Sequence, residues 1–161
     1  MIAVFDFFTM PAVTFQVLHC FFVIEHGYRK ILHFNVTRRP TAEWVVQQLR
    51  EALPEAAPYC YVILDRDAKF NAEVVGFLRA TGLPPKRTSI RSPWQNGIAE
   101  RWVGSCRCGL LDHVIPLNEQ HLRRLVRDYR DTTRRTAFTT PTAKTHPICG
   151  QSRRSPLRRR G

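Results

Sequence analysis

Three acidic side chains stand in settings where an acid needs a reason. Asp6 interrupts the apolar opening run MIAVFDFF, Asp65 closes the apolar run YCYVIL, and Glu100 lies in SPWQNGIAERW, after a chain break at Ser92-Pro93. A carboxylate among apolar neighbours is costly to bury unless it is paired or bound to metal. Three carboxylates with no cysteine or histidine beside them suit hard cations, Mg²⁺ or Mn²⁺. Two such ions about 3.5–4 Å apart can clamp the attacking and leaving oxygens of an in-line phosphoryl displacement. The doublet Asp65-Arg66-Asp67 also admits a local two-acid site.

The elements that must position these acids follow from pattern and period. Residues 1–8 predict a short buried strand, and residues 14–25 (TFQVLHCFFVIE) a second, rich in β-branched and aromatic residues. After the turn His26-Gly27-Tyr28, residues 30–36 (KILHFNV) alternate as a third strand. Short connections imply an antiparallel meander. The period then changes: after Pro40-Thr41, Val45, Leu49 and Ala52 fall at helical spacing. Residues 59–64 form an apolar run of strand length, of the kind buried on both faces of a parallel sheet. Asn71 is a plausible N-cap for a helix over 71–80, stopped by Gly82 and Pro84. A weak strand over 86–90, a helix from about Gln95 to Leu111 and a helix capped by Asn118 complete the chain, with Gly109 weakening the first of these helices. In the last helix Leu122, Leu125, Val126 and Tyr129 form the apolar stripe, and Arg123, Arg124, Arg127 and Arg130 take the other, solvated faces. The order βββ-α-β-α-β-α-α means a mixed sheet with helices packed on it. Sites in such sheets form at the carboxyl ends of the parallel strands. Asp65 sits at such an end, and Asp6 meets it if the first strand neighbours YCYVIL.

The chain has 161 residues, enough for one domain, and a formal net charge of +12. Residues 132–161 hold eight of the 25 Lys and Arg and none of the 13 acids, so residues 1–131 carry a net of +4. A basic balance suits a polyanionic partner such as nucleic acid. The five cysteines are odd in number and form no C-x₂-C pair, so they read as reduced thiols of a cytosolic protein. No basic leader opens the chain, and the longest apolar run, near VLHCFFVI, is far short of a membrane span. Trp44 and Trp102 are expected in the core, and Trp94 anchoring its loop or stacking on a base.

Taken together these residues resemble a family. Asp6, Asp65 and Glu100, with 35 positions from Asp65 to Glu100, look like the D,D-35-E signature of retroviral-type integrases and DDE transposases. SPWQNGIAERW is similar to the family's stretch around its glutamate, DRDAKF to its second-aspartate motif, and DFFTMPAVTFQVLHCFFVIEHGYRKILHFNVT to its opening strands. The similarity covers about residues 2 to 130 and is nearest to the integrase-core transposases of bacterial insertion elements. It implies an α/β, ribonuclease H-like fold: a mixed five-stranded sheet, an antiparallel meander plus parallel strands, flanked by helices. It implies DNA strand cleavage and strand transfer, with Asp6, Asp65 and Glu100 holding two Mg²⁺ or Mn²⁺ ions that activate water and then a 3′-hydroxyl. Gln95, Asn96, Arg101 and Arg107 become candidate DNA contacts. The implied partners are element ends, target DNA and further copies of the chain, in a bacterial cytosol and near the nucleoid.

On this reading residues 1–131 are the catalytic core of an incomplete transposase and residues 132–161 a basic tail without packed structure. The tail departs from the family's continuation after Tyr129 and suggests a change of reading frame near residue 130. Three rival readings stand beside this one, among them a ribonuclease H-type nuclease on the same scaffold. VILDRDAKF also resembles the motif of haloacid-dehalogenase-type phosphatases, with Asp65 as nucleophile and Asp67 as acid/base. The third rival is an inactive transposase remnant that at most binds DNA.

Overall fold

The computed structural model describes residues 1–54, 59–65, 67–88 and 96–139, with side chains as far as residue 133. Its elements are β1 (Ile2–Pro11), β2 (Val17–Glu25), β3 (Lys30–Thr37), α1 (Ala42–Ala52), β4 (Tyr61–Leu64), α2 (Ala72–Ala80), β5 (Pro85–Arg87), α3 (Gly97–Cys106) and α4 (Glu119–Thr139). The five strands form one sheet in the order β3-β2-β1-β4-β5. β1 pairs antiparallel with β2, and β2 with β3, while β1 pairs parallel with β4, and β4 with β5. This is the mixed, helix-flanked sheet of the ribonuclease H-like fold, as the sequence implies.

Alternation along β1 divides the core into two. Ala3 and Phe5 point to the side covered by α1 and α2, where they meet Val45, Leu49, Val74 and Leu78. Val4 and Phe8 point to the side covered by α3 and α4, where they meet Ala99, Cys106, Leu122 and Val126. Trp44 packs on the first side and Trp102 on the second, as expected of core tryptophans. Trp102 lies 4.4 Å from the Phe22 ring centre, which seats α3 on the sheet.

The helix starts follow their caps. Thr41 accepts from the Trp44 amide, Asn71 from Glu73 and Val74, and Asn118 from His121. Gly82, at φ 76°, ends α2 and lets the Leu83 amide donate back to the Leu78 carbonyl at 2.9 Å. Two of the four arginines expected on the solvated faces of α4 hold it to β3 instead. Arg123 donates to the Val36 carbonyl at 2.6 Å, and the Arg130 guanidinium lies over the Phe34 ring.

Several boundaries differ from expectation: β1 runs to Pro11 rather than to residue 8, and β2 starts at Val17 rather than at 14. The helix expected to run to Leu111 ends as an α-helix at Cys106 and continues as a π-turn over Arg107–Leu111. Gly109 lies against α4: a Cβ there would come within 2.9 Å of Tyr129 Cε2. The helix α4 runs through to Thr139, past residue 131, where the unstructured tail was expected to begin. Residues 140–161, the rest of that expected tail, lie outside the described residues, as do Trp94, Gln95 and positions 89 and 90 of the weak strand. No helix among the described residues is long and apolar enough to cross a membrane.

Candidate active site

The parallel register builds the site. Phe5 pairs with Leu64 across β1 and β4, so the next residues along, Asp6 and Asp65, are neighbours on adjacent strands. Typical strand spacing puts such backbones about 4.8 Å apart. Both aspartates share a face, because Val4 and Ile63, two positions earlier, pack on the α3–α4 side. The same register continues one strand further. Leu64 pairs with Arg87, and the following Thr88 donates from Oγ1 to Asp65 Oδ1 at 2.7 Å. Asp6, in the middle of β1, Asp65, just past β4, and Thr88, just past β5, therefore form a row across three parallel-paired strands. Thr88, 4% exposed, escapes sequence reasoning because the strand before it is short and lacks apolar pattern.

Glu100 sits exposed in the first turn of α3, next to buried Ala99. The field of these acids is felt at Asp6. Its carboxyl pKa is raised to about 6, chiefly by burial, against the opposing hydrogen bond from the Phe7 amide, with the charges of Asp65, Asp67 and Glu100 adding to the rise. The Asp6 oxygens are both engaged: the Phe7 amide donates to Oδ1 at 2.7 Å and Asn96 Nδ2 donates to Oδ2 at 2.9 Å.

Asp67 is held by its own ion pair. Lys69 donates to Asp67 Oδ2 from its ammonium at 2.6 Å and to Oδ1 from its amide at 3.0 Å. Burial would raise the Asp67 pKa, but the bonds to and charge of Lys69 outweigh it and hold the carboxyl below its usual value. The Lys69 ammonium also sits 5.2 Å from the Phe7 ring centre. Asp67 is thus an ion-paired turn residue, which disfavours the phosphatase reading that needs it as acid/base.

Among the candidate DNA contacts, Arg101 and Arg107 are exposed on the α3 side, with Arg107 reaching the Thr9 carbonyl at 3.4 Å. Asn96 is 5% exposed and turned to Asp6. Gln95 lies outside the described residues. Hard oxygen donors under mutual repulsion, as at Asp6, Asp65 and Glu100, fit a divalent cation in chemistry. Among the described residues no three His, Cys, Asp or Glu side chains are gathered around one point. Asp6 and Asp65 instead spend oxygens on Asn96 and Thr88.

The fold has known counterparts. The chain is similar to the catalytic domain of Mos1 transposase, solved with Raltegravir and Mg, with TM-score 0.63 and 13% identity over 81% of this chain and 70% of that one. It is similar to the HTLV-2 integrase catalytic core domain, solved with magnesium in a trimeric form, with TM-score 0.57 and 13% identity over 77% and 81% of the two chains. It is similar to a chain of the simian T-cell lymphotropic virus intasome, solved in complex with PP2A regulatory subunit B56 gamma, with TM-score 0.64 and 12% identity. There the match covers 99% of this chain, which spans 58% of the length of the intasome chain. At these identities the likeness establishes a shared fold. No protein-family profile matches the sequence, and no curated protein does.

Proposed function

We propose that this chain is a catalytic core for DNA strand cleavage and strand transfer, of the kind found in transposases of bacterial insertion elements. The observation that carries the reading is that Asp6 and Asp65 each follow directly on the paired residues Phe5 and Leu64, on the face covered by the helix that bears Glu100. Support comes from the fold shared with integrase and transposase cores, two of them solved with magnesium.

In this reading Asp6, Asp65 and Glu100 would hold two Mg²⁺ or Mn²⁺ ions. When bound, the ions supply Lewis acidity for in-line displacement at a phosphodiester by water or a 3′-hydroxyl. The chain's own residues arrange the ligands. Asn96 and the Phe7 amide fix the Asp6 carboxylate, Thr88 orients Asp65, and Lys69 holds the Asp67 carboxylate. Arg101 and Arg107 contact phosphates, which positions DNA without reading its sequence, and Gln95, before them in the chain, is a further candidate contact. Asn96 serves Asp6 rather than DNA, given its burial. The protein acts on DNA ends and target DNA as a homo-oligomer.

The experiment is nicking and joining of labelled DNA by the intact chain in Mn²⁺. The expected result is product from the wild type and none from Asp6→Asn, Asp65→Asn or Glu100→Gln. A folded, Mn²⁺-binding chain without product would make it an inactive remnant. Hydrolysis of a small phosphomonoester that survives Asp6→Asn and Glu100→Gln would restore the phosphatase reading.

A further inference from the structure

Two stretches of this basic chain carry no charge. Residues 7–24 contain no Asp, Glu, Lys or Arg, and neither do residues 113–118, although the net charge is +12. They meet at the tip of the β1–β2 hairpin, where the Val13 amide donates to the Pro116 carbonyl at 3.0 Å. The hairpin outruns its neighbours. β1 and β2 pair as far as Pro11–Val17, while β4 follows β1 only to Phe5–Leu64 and β3 joins β2 only from His19–Thr37. The tip therefore projects past the sheet. Val13, Phe15 and Val17 on it, and Ile115 and Leu117 on either side of Pro116, each expose half or more of their surface.

Phe15 sets this patch apart from scattered surface apolar residues. It is 96% exposed, and its backbone lies in the left-handed region at φ 58°. That conformation is costly for a bulky side chain, and Gly, Asn or Asp would hold it with less strain. The turn closes through backbone bonds alone, from the Phe15 amide to the Ala12 carbonyl and from the Ala12 amide to the Gln16 carbonyl, both at 2.9 Å. The ring at this position adds nothing to the packing of its own chain. Backbone strain of this kind gathers at binding surfaces, and a contiguous exposed apolar patch marks an interaction site.

We infer that this patch pairs two copies of the chain about a two-fold axis, with Phe15 of each copy seated against Ile115 and Leu117 of the other. Charge decides among the occupants. DNA needs cations opposite its phosphates, and an anionic lipid surface needs a basic rim; these two stretches supply neither. Two copies of a basic chain approach most closely across a face that bears no charge, and interface centres are poor in charged residues and rich in Phe. A stable pair buries about 800 Å² on each partner. The five apolar residues supply on the order of 600 Å² of this, and exposed Pro11, Thr14, Gln16 and Asn118 form the polar rim. A two-fold contact of this kind closes at the dimer. The inference rests on the homo-oligomer of the proposed function and assigns the face that forms it.

Sedimentation of the full chain without metal or DNA tests it. A reversible monomer–dimer equilibrium is expected. Phe15→Asp, which suits the left-handed turn, and Leu117→Lys should each weaken the dimer about tenfold or more, with melting curves showing both variants folded. Mixed in equal amounts, the two variants should recover the dimer. The mixed pair sets the new acid against the new lysine at one contact and keeps Phe15 on Leu117 at the other. If Leu117→Lys does not fold, Phe15→Asp decides alone. A dimer that folded variants leave unchanged overturns this face and leaves the homo-oligomer standing. A wild type that stays monomeric at about 100 μM overturns both. Flotation on phosphatidylcholine vesicles, or DNA binding, that a monomeric wild type shows and Phe15→Asp loses would assign the patch to lipid or DNA and overturn the pairing. No strand cleavage is read, so its failure leaves these outcomes unchanged.

Discussion

Asn96 Nδ2 donates to Asp6 Oδ2 at 2.9 Å, joining residues ninety positions apart in the chain. The bond ties the amino end of α3 to the middle of β1. It also explains why Asn96 occupies the N-cap position of α3 without capping it. An asparagine before a helix normally spends its oxygen on the first-turn amides. Here the amide group faces a half-buried acid, and the oxygen is left without a partner among the described residues.

The Asp6 carboxyl yields a prediction for stability. Its pKa rises from 3.8 to about 6 on folding, so the folded protein holds a proton that the unfolded chain releases. Stability from this group is complete below 3.8 and is lost as pH rises through about 6. In metal-free protein, Asp6→Asn should be more stable than wild type at pH values well above 6, by on the order of 3 kcal/mol, and no more stable below 3.8. With its amide turned round, Asn96 could then accept from the new side chain through Oδ1. Denaturant titrations at both pH extremes would read this; an equal effect at both would contradict it.

The Thr88–Asp65 bond predicts a positioning effect. Thr88→Val keeps the shape of the side chain and removes the donor to Asp65 Oδ1. Residues that orient metal-binding carboxylates typically cost 10–100-fold when changed, so Mn²⁺ affinity should fall about tenfold. Thr88→Ser should restore it. Titration with Mn²⁺ followed by its paramagnetic signal provides the measurement, and an affinity untouched by the valine variant would remove Thr88 from the site.

Asp67 should be dispensable for strand cleavage. Its oxygens are held by Lys69, so Asp67→Asn should leave Mn²⁺-dependent nicking within a few-fold of wild type, about 1 kcal/mol or less in activation free energy, whereas Asp65→Asn removes it. Rates on a labelled plasmid would show the contrast. Equal loss in both variants would return the two aspartates to one local site.

Packing beneath α3 gives a prediction on position rather than chemistry. Phe22 is fully buried and supports Trp102, two residues after Glu100. Phe22→Ala should cost about 3–5 kcal/mol and loosen α3 from the sheet. Amide exchange in α3 should accelerate more than in α1, which packs on the opposite face; uniform acceleration would place the seat of α3 elsewhere.

Much of this layout was legible in the sequence because local signals agreed with the fold. The alternation of KILHFNV, the apolar run YCYVIL and the caps at Asn71 and Asn118 each report one element and its boundary. Asp6 and Asp65 stood out because strand period and strand end put a charge where burial is costly. Thr88 was hidden, since its role comes from register with β4 and not from its neighbours in sequence. Asn96 read in the sequence as a candidate DNA contact, because its burial against Asp6 is a long-range fact. The course of α4 beyond Asp131 was missed for a similar reason: the Thr- and Arg-rich stretch has no apolar stripe, yet it continues a helix already packed on the sheet through Leu122 and Val126.

The most direct test of the account is a crystal structure of the protein grown with Mn²⁺, read by anomalous scattering. The account predicts Mn²⁺ held by Asp6 and Asp65 with Glu100 drawn in to complete the set. Absence of Mn²⁺ from these acids, with Asp6 still bonded to Asn96 and Asp65 to Thr88, would contradict it.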